Sequence, residues 1–176
     1  MIIDGDLRRP SQFLILGVRP EEGKELSEFL TDGTNSEDLV MKTHVNNLFF
    51  IGGRNSYSTS SDILQSENLQ KMYKLINTCR KLVDYVIIDS PPAGTIGDAE
   101  LLARCADEVL LVVRQNFILA EDINDVMDTL RNTGCHVLGV VLNRVISFEN
   151  LAAQTVGRYS YSRYTQYGKD RGKANE

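Results

Sequence analysis

With 176 residues, 42% of them hydrophobic and 24% charged, the chain has the make-up of one globular domain with its own core. A net charge of -5 argues against general nucleic-acid affinity, and no apolar run approaches the roughly 18 residues of a membrane span. No signal-peptide pattern is present, so a cytoplasmic location is expected, with membrane association only through a partner or a basic segment.

The first element, "MIID" (1–4), reads as the end of a strand, and it runs into Gly5, Asp6, Arg8, Arg9 and Pro10. A loop, "GVRPEEGKE", leads into a short helix, "ELSEFL". "LFFIGG" (48–53) is a second strand. Residues 62–82 place Leu64, Leu69, Met72, Leu75, Ile76, Cys79 and Leu82 at helical intervals behind Asp62 as a predicted N-cap. "YVIID" (85–89), "EVLLVV" (108–113) and "HVLGVVLN" (136–143) are nearly continuously apolar, as strands buried on both faces should be. Helices are predicted over 97–105 and 119–132, the latter stopped by Gly134. Strand and helix alternate, which predicts an α/β fold with a mostly parallel sheet and helices on both faces. Cys79, Cys105 and Cys135 are odd in number and in no CxxC spacing, and read as small core residues in a reducing compartment.

Two apolar strands end in aspartate: Asp4, in "IIDGDLRRP", and Asp89, in "IIDSPP". An aspartate after one strand is commonly a cap. Two such strand ends in one parallel sheet place carboxylates in the crevice where ligands bind, able to hold Mg²⁺ or accept a proton.

These residues carry a resemblance. "IIDGDLRRP" is similar to the second Walker motif, A′, of the bacterial tyrosine kinases of capsule and exopolysaccharide synthesis (the CpsD/CapB kind). "VDYVIIDSPPAGTIGDAELLARCADEVLLVVRQ" resembles their Walker B segment and next strand, and "GVVLNRV" follows in order. The resemblance implies a P-loop fold of the deviant-Walker type, shared with MinD/ParA-like positioning ATPases, and the cofactors ATP and Mg²⁺. It implies that Asp4 is the A′ carboxylate near the metal and a base candidate, Asp6 the second A′ carboxylate, and Asp89 the group holding the metal's water shell. It also places Asn143 at an adenine-contacting position. Arg8 and Arg9 are candidates for phosphate or a neighbouring subunit. Further implications are a transmembrane activator, ring-like self-association and an opposing phosphatase.

Phosphoryl transfer also needs a phosphate cradle, met in the family by a GxxxxGK[ST] loop that precedes the A′ strand. This sequence contains none. "GVRPEEGKE" is no substitute, since five residues separate Gly17 from Gly23 and Glu25 stands where Ser/Thr should be. The expectation is an N-terminally truncated kinase, with residues 1–157 lacking the first strand, P-loop and first helix.

Residues 158–176 hold five Lys/Arg against two acids, leaving +3 there and -8 on the remainder. Tyr159, Tyr161, Tyr164 and Tyr167 fall within them. A solvated tail and a single-stranded nucleic-acid contact are the competing readings. Beside a kinase-like A′ motif, a flexible phosphoacceptor segment is expected. The function expected is tail autophosphorylation by a protein-tyrosine kinase. Its alternatives are a catalytically dead remnant serving as substrate or ring subunit, and a MinD/ParA-like ATPase.

Overall fold

A computed structural model describes residues 1–33, 35–58, 60–94 and 97–145. The apolar run at the start of the chain forms β1 (Ile2–Asp4), which pairs in parallel with β3 (Phe49–Ile51) on one side and β4 (Ile87–Asp89) on the other. A short antiparallel strand, β2 (Met41–Lys42), closes the far edge in the order β2-β3-β1-β4. The two remaining apolar runs, β5 (Glu108–Arg114) and β6 (His136–Asn143), pair in parallel as a separate two-stranded sheet.

Among the described residues, six α-helices connect the strands: α1 (Gln12–Ile15), α2 (Leu26–Asp32), α3 (Ser60–Ile63), α4 (Ser66–Cys79), α5 (Asp98–Ala103) and α6 (Ala120–Asn132). The apolar spacing read from the sequence is the stripe by which α4 enters the core: Met72, Leu75, Ile76 and Cys79 are buried with Ile3 and Ile51 of the sheet and Leu26 and Leu30 of α2. Gly134 ends α6 by adopting φ +84, a left-handed conformation that costs glycine little. No helix among the described residues is long and apolar enough to cross a membrane.

The structure departs from the sequence reading in two ways. The single helix predicted over 62–82 is two, because Ser60 and Ser61 hydroxyls bind Asp98 and pin a separate turn. Gln65, with extended backbone, caps α4, and Asp62 lies inside α3. The apolar strands are also not buried on both faces. Ile87 of β4 is 61% exposed, and Leu110 and Val112 of β5 are 51% and 58% exposed.

The reason lies in the sheet order. No described strand bonds to the second edge of β4 or of β5, so each sheet keeps an open edge there. Val109, Leu111 and Val137 pack against Ala103, Val126 and Leu130 of α5 and α6. The opposite row of β5 faces outward.

Candidate functional site

The carboxyl ends of β1 and β4 meet in register, with Asp4 opposite Asp89. Two carboxylates are thus set at the tips of neighbouring strands, whose axes lie about 4.8 Å apart. The strand ends are drawn together by a hydrogen bond from Gly5 N–H to the Asp89 carbonyl at 2.7 Å. A Cβ at residue 5 would lie 2.8 Å from that carbonyl oxygen and 2.8 Å from Leu102 Cδ1, which explains the glycine between the two aspartates of "DGD". Gly5→Ala is expected to cost about 1–3 kcal/mol by overpacking. A lowered urea midpoint with an unchanged m-value would show it.

Asp4 is 1% exposed. Its Oδ1 accepts from the Asp6 backbone N–H at 3.2 Å, and its Oδ2 accepts from the backbone N–H groups of Ser11 and Gln12, both at 3.0 Å. Burial pushes its pKa up. The three backbone donors oppose that, the charge of Asp89 reinforces it, and the net direction is upward. Asp89 is half-buried, and its Oδ2 accepts from the Gln12 side-chain Nε2 at 2.6 Å. Its Oδ1 takes no hydrogen bond among the described residues.

Asp6 sits in the same loop, but its Oδ1 accepts from the backbone N–H groups of Arg8 (3.1 Å) and Arg9 (3.0 Å). It shapes the turn that carries the arginines. Arg8 points inward: its Nε meets Asp98 Oδ2 at 3.3 Å, and its other nitrogens donate to the Ser58 carbonyl and the Ser61 hydroxyl. Arg9 is exposed, with no ion pair among the described residues.

Asn143 ends β6 in the other sheet, exposed, with its Oδ1 accepting from Arg144 N–H at 2.7 Å. It shares no hydrogen bond with Asp4, Asp6 or Asp89. Tyr159, Tyr161, Tyr164 and Tyr167 lie outside the described residues.

Two participants escaped the sequence reading. Gln12 touches both acids, yet a glutamine one turn past a motif carries no pattern of its own. Asp98 was legible only as the start of a helix, although it is 1% exposed and accepts from Ser60 (2.5 Å), Ser61 (2.6 Å) and Arg8. Burial pushes Asp98 up, but the hydrogen bonds from Ser60, Ser61 and Arg8 and the Arg8 charge outweigh it and hold the carboxyl below its ordinary range.

The loop "GVRPEEGKE" has its own structural use. Glu25 is buried, closes a capping box with Glu28, and accepts from the backbone N–H groups of Arg54 and Asn55. Lys24 pairs with Glu21. None of these groups is left to cradle a phosphate.

The donor set at the strand ends fits a hydrated Mg²⁺. Both groups are hard oxygen ligands, one is fixed by backbone donors, and the other keeps an oxygen without a partner among the described residues. Mg²⁺ retains waters and is commonly held by one or two carboxylates plus substrate phosphates.

No family model matches the chain. It is 34% identical over 147 residues to the tyrosine-protein kinase CpsD of Streptococcus pneumoniae serotype 4, covering 82% of this chain and 62% of that protein. A second Streptococcus pneumoniae CpsD is 30% identical over 169 residues, covering 96% and 70%. The chain thus spans about two thirds of the length of these relatives. Among solved structures, the kinase domain of the Escherichia coli tyrosine kinase ETK superposes with a TM-score of 0.75 at 26% identity, covering 91% of this chain and 58% of that one. The septum site-determining protein MinD of Pyrococcus horikoshii, complexed with Mg-ADP, gives 0.66 at 25% identity, covering 88% and 63%. The paired strand-end aspartates therefore sit in a P-loop-type α/β fold, and the chain belongs to the bacterial tyrosine-protein kinase family of the CpsD kind.

Proposed function

We propose that this chain is the metal-side part of a protein-tyrosine kinase domain that passes the γ-phosphoryl of ATP to the tyrosine cluster of its tail, and so regulates capsule or exopolysaccharide synthesis and export. The observation carrying this reading is the in-register pair of Asp4 and Asp89 at the ends of β1 and β4. Residues 1–157 form the kinase part and 158–176 the acceptor segment. Tyr159, Tyr161, Tyr164 and Tyr167 are the acceptors, reached in trans by a neighbouring copy.

Asp89 and Asp4 are the residues that would hold Mg²⁺. When bound, the ion neutralises the triphosphate and ATP supplies the phosphoryl group. Asp4 is the proton acceptor for a tyrosine hydroxyl, since burial biases it toward taking up a proton. Asp6 acts beside it by fixing the loop, with Arg9 exposed on the same turn. Asn143 is the adenine contact, at the carboxyl end of β6.

The open edges of β4 and β5 among the described strands leave room for a further parallel strand between them, bearing the phosphate-binding loop. It comes from sequence outside these 176 residues or from another chain. Family kinship supports the partners: a transmembrane activator holding the chain at the inner face of the membrane, a ring of copies, and an opposing phosphatase.

The test joins this chain in frame behind the GxxxxGK[ST]-bearing segment of the pneumococcal relative and supplies γ-labelled ATP with Mg²⁺. Label is expected on tyrosine, and changing the four tail tyrosines to phenylalanine should remove it. Bound MgATP without labelled tyrosine would favour the inactive remnant. ATP hydrolysis without labelled tyrosine would favour a positioning ATPase.

A further inference from the structure

We propose that Gln12 is a positioning residue that sets the Asp4–Asp89 pair for a hydrated divalent cation, an inference that rests on the kinase reading of these strand ends. One residue reaches both acids by two different groups. Its backbone N–H donates to Asp4 Oδ2 at 3.0 Å, and its side-chain amide donates to Asp89 Oδ2 at 2.6 Å.

The physical problem at this site is that two carboxylates on adjacent strands repel each other; the charge of Asp89 adds to the upward push on Asp4. Asp4 is settled by three backbone donors, which move only with the loop. Asp89 is the last residue of its strand, half-buried, and among the described residues its side chain has one donor, Gln12. Without that donor the carboxylate turns freely about its final torsions. With it, Oδ2 is fixed toward α1, and Oδ1 remains the atom offered to a metal-bound water.

The backbone contact also explains why the glutamine stands at this position. Ser11 and Gln12 open α1, where first-turn N–H groups have no helical partner, and Asp4 takes them up. The same anchoring places the Gln12 side chain above β4. Partners that orient a ligating carboxylate commonly contribute 10–100-fold to metal affinity.

The experiment titrates Mn²⁺ into the full chain, without nucleotide, and reads free ion by electron paramagnetic resonance. Gln12→Met keeps the backbone N–H and the side-chain length but removes the amide. About a tenfold weaker Mn²⁺ affinity is expected, with an unchanged thermal midpoint. Asp89→Asn is expected to weaken binding further and reports the cation site itself. If Asp89→Asn lowers affinity and Gln12→Met leaves it unchanged or tightens it, the assignment of Gln12 falls while the cation reading stands. If the wild-type chain and Asp89→Asn bind Mn²⁺ equally, the cation reading falls and the role of Gln12 with it.

Discussion

Asp98→Ala is expected to lower the unfolding free energy of the chain by about 3 kcal/mol, read as a fall in the urea midpoint. Asp98 is 1% exposed and accepts from two hydroxyls and a guanidinium at once. Alanine would leave Ser60, Ser61 and Arg8 without their acceptor. Removing one partner of a buried ion pair costs about 3–5 kcal/mol because the other charge stays behind. Arg8 is 29% exposed at its side chain and keeps the Ser58 carbonyl and the Ser61 hydroxyl as acceptors, so the low end of that range applies. The acid dependence should change as well. A carboxyl held below its ordinary value stabilises the fold above the unfolded pKa, near 3.8, and loses that contribution as pH falls through the lowered value. The alanine variant should therefore differ most from wild type at neutral pH and converge with it in acid. An unchanged midpoint at pH 7 would mean that the cluster does not anchor the loop. Because Arg8 stands two residues past Asp6, loosened Asp98 contacts should also expose the DGDLRRP loop to proteases before the core.

How much of this was legible in the sequence follows from which forces are local. Strand runs and the buried stripe of α4 were visible because hydrophobic periodicity is written residue by residue. Asp4 and Asp89 were visible because two apolar runs of one sheet each close on an acid, where a single such end would read as a cap. Their pairing was not, since strand register depends on contacts between residues 85 positions apart. The break between α3 and α4 was hidden for the same reason: the serines that cause it bind an aspartate almost forty residues away. Gln12 and the inward turn of Arg8 were equally invisible, because sequence motifs do not say where a flexible polar side chain ends. The exposed row of β5 misled the reading outright. Its apolar pattern calls for cover on both faces, and the described residues supply only one.

Asp4→Asn is expected to separate stability from chemistry. In the chain joined to a phosphate-binding loop, losing a proton acceptor should reduce tyrosine labelling by about 100-fold or more. The same change should not unfold the protein. Burial raises the folded pKa of Asp4 above its unfolded value near 3.8, so folding favours the protonated form. That contribution is fully present below pH 3.8 and is lost as pH rises through the raised value. Above the raised value the ionised carboxylate works against folding, and a neutral amide of nearly the same shape does not. The amide oxygen cannot serve all three backbone donors that Asp4 accepts, which limits the gain. The direction to be measured is thus a variant at least as stable as wild type at pH 7, with the difference shrinking as pH falls. A large loss of stability at pH 7 would show that the hydrogen bonds outweigh burial. Retained labelling in Asp4→Asn, beside abolished labelling in Asp89→Asn, would leave the metal ligand in place and remove Asp4 as the base.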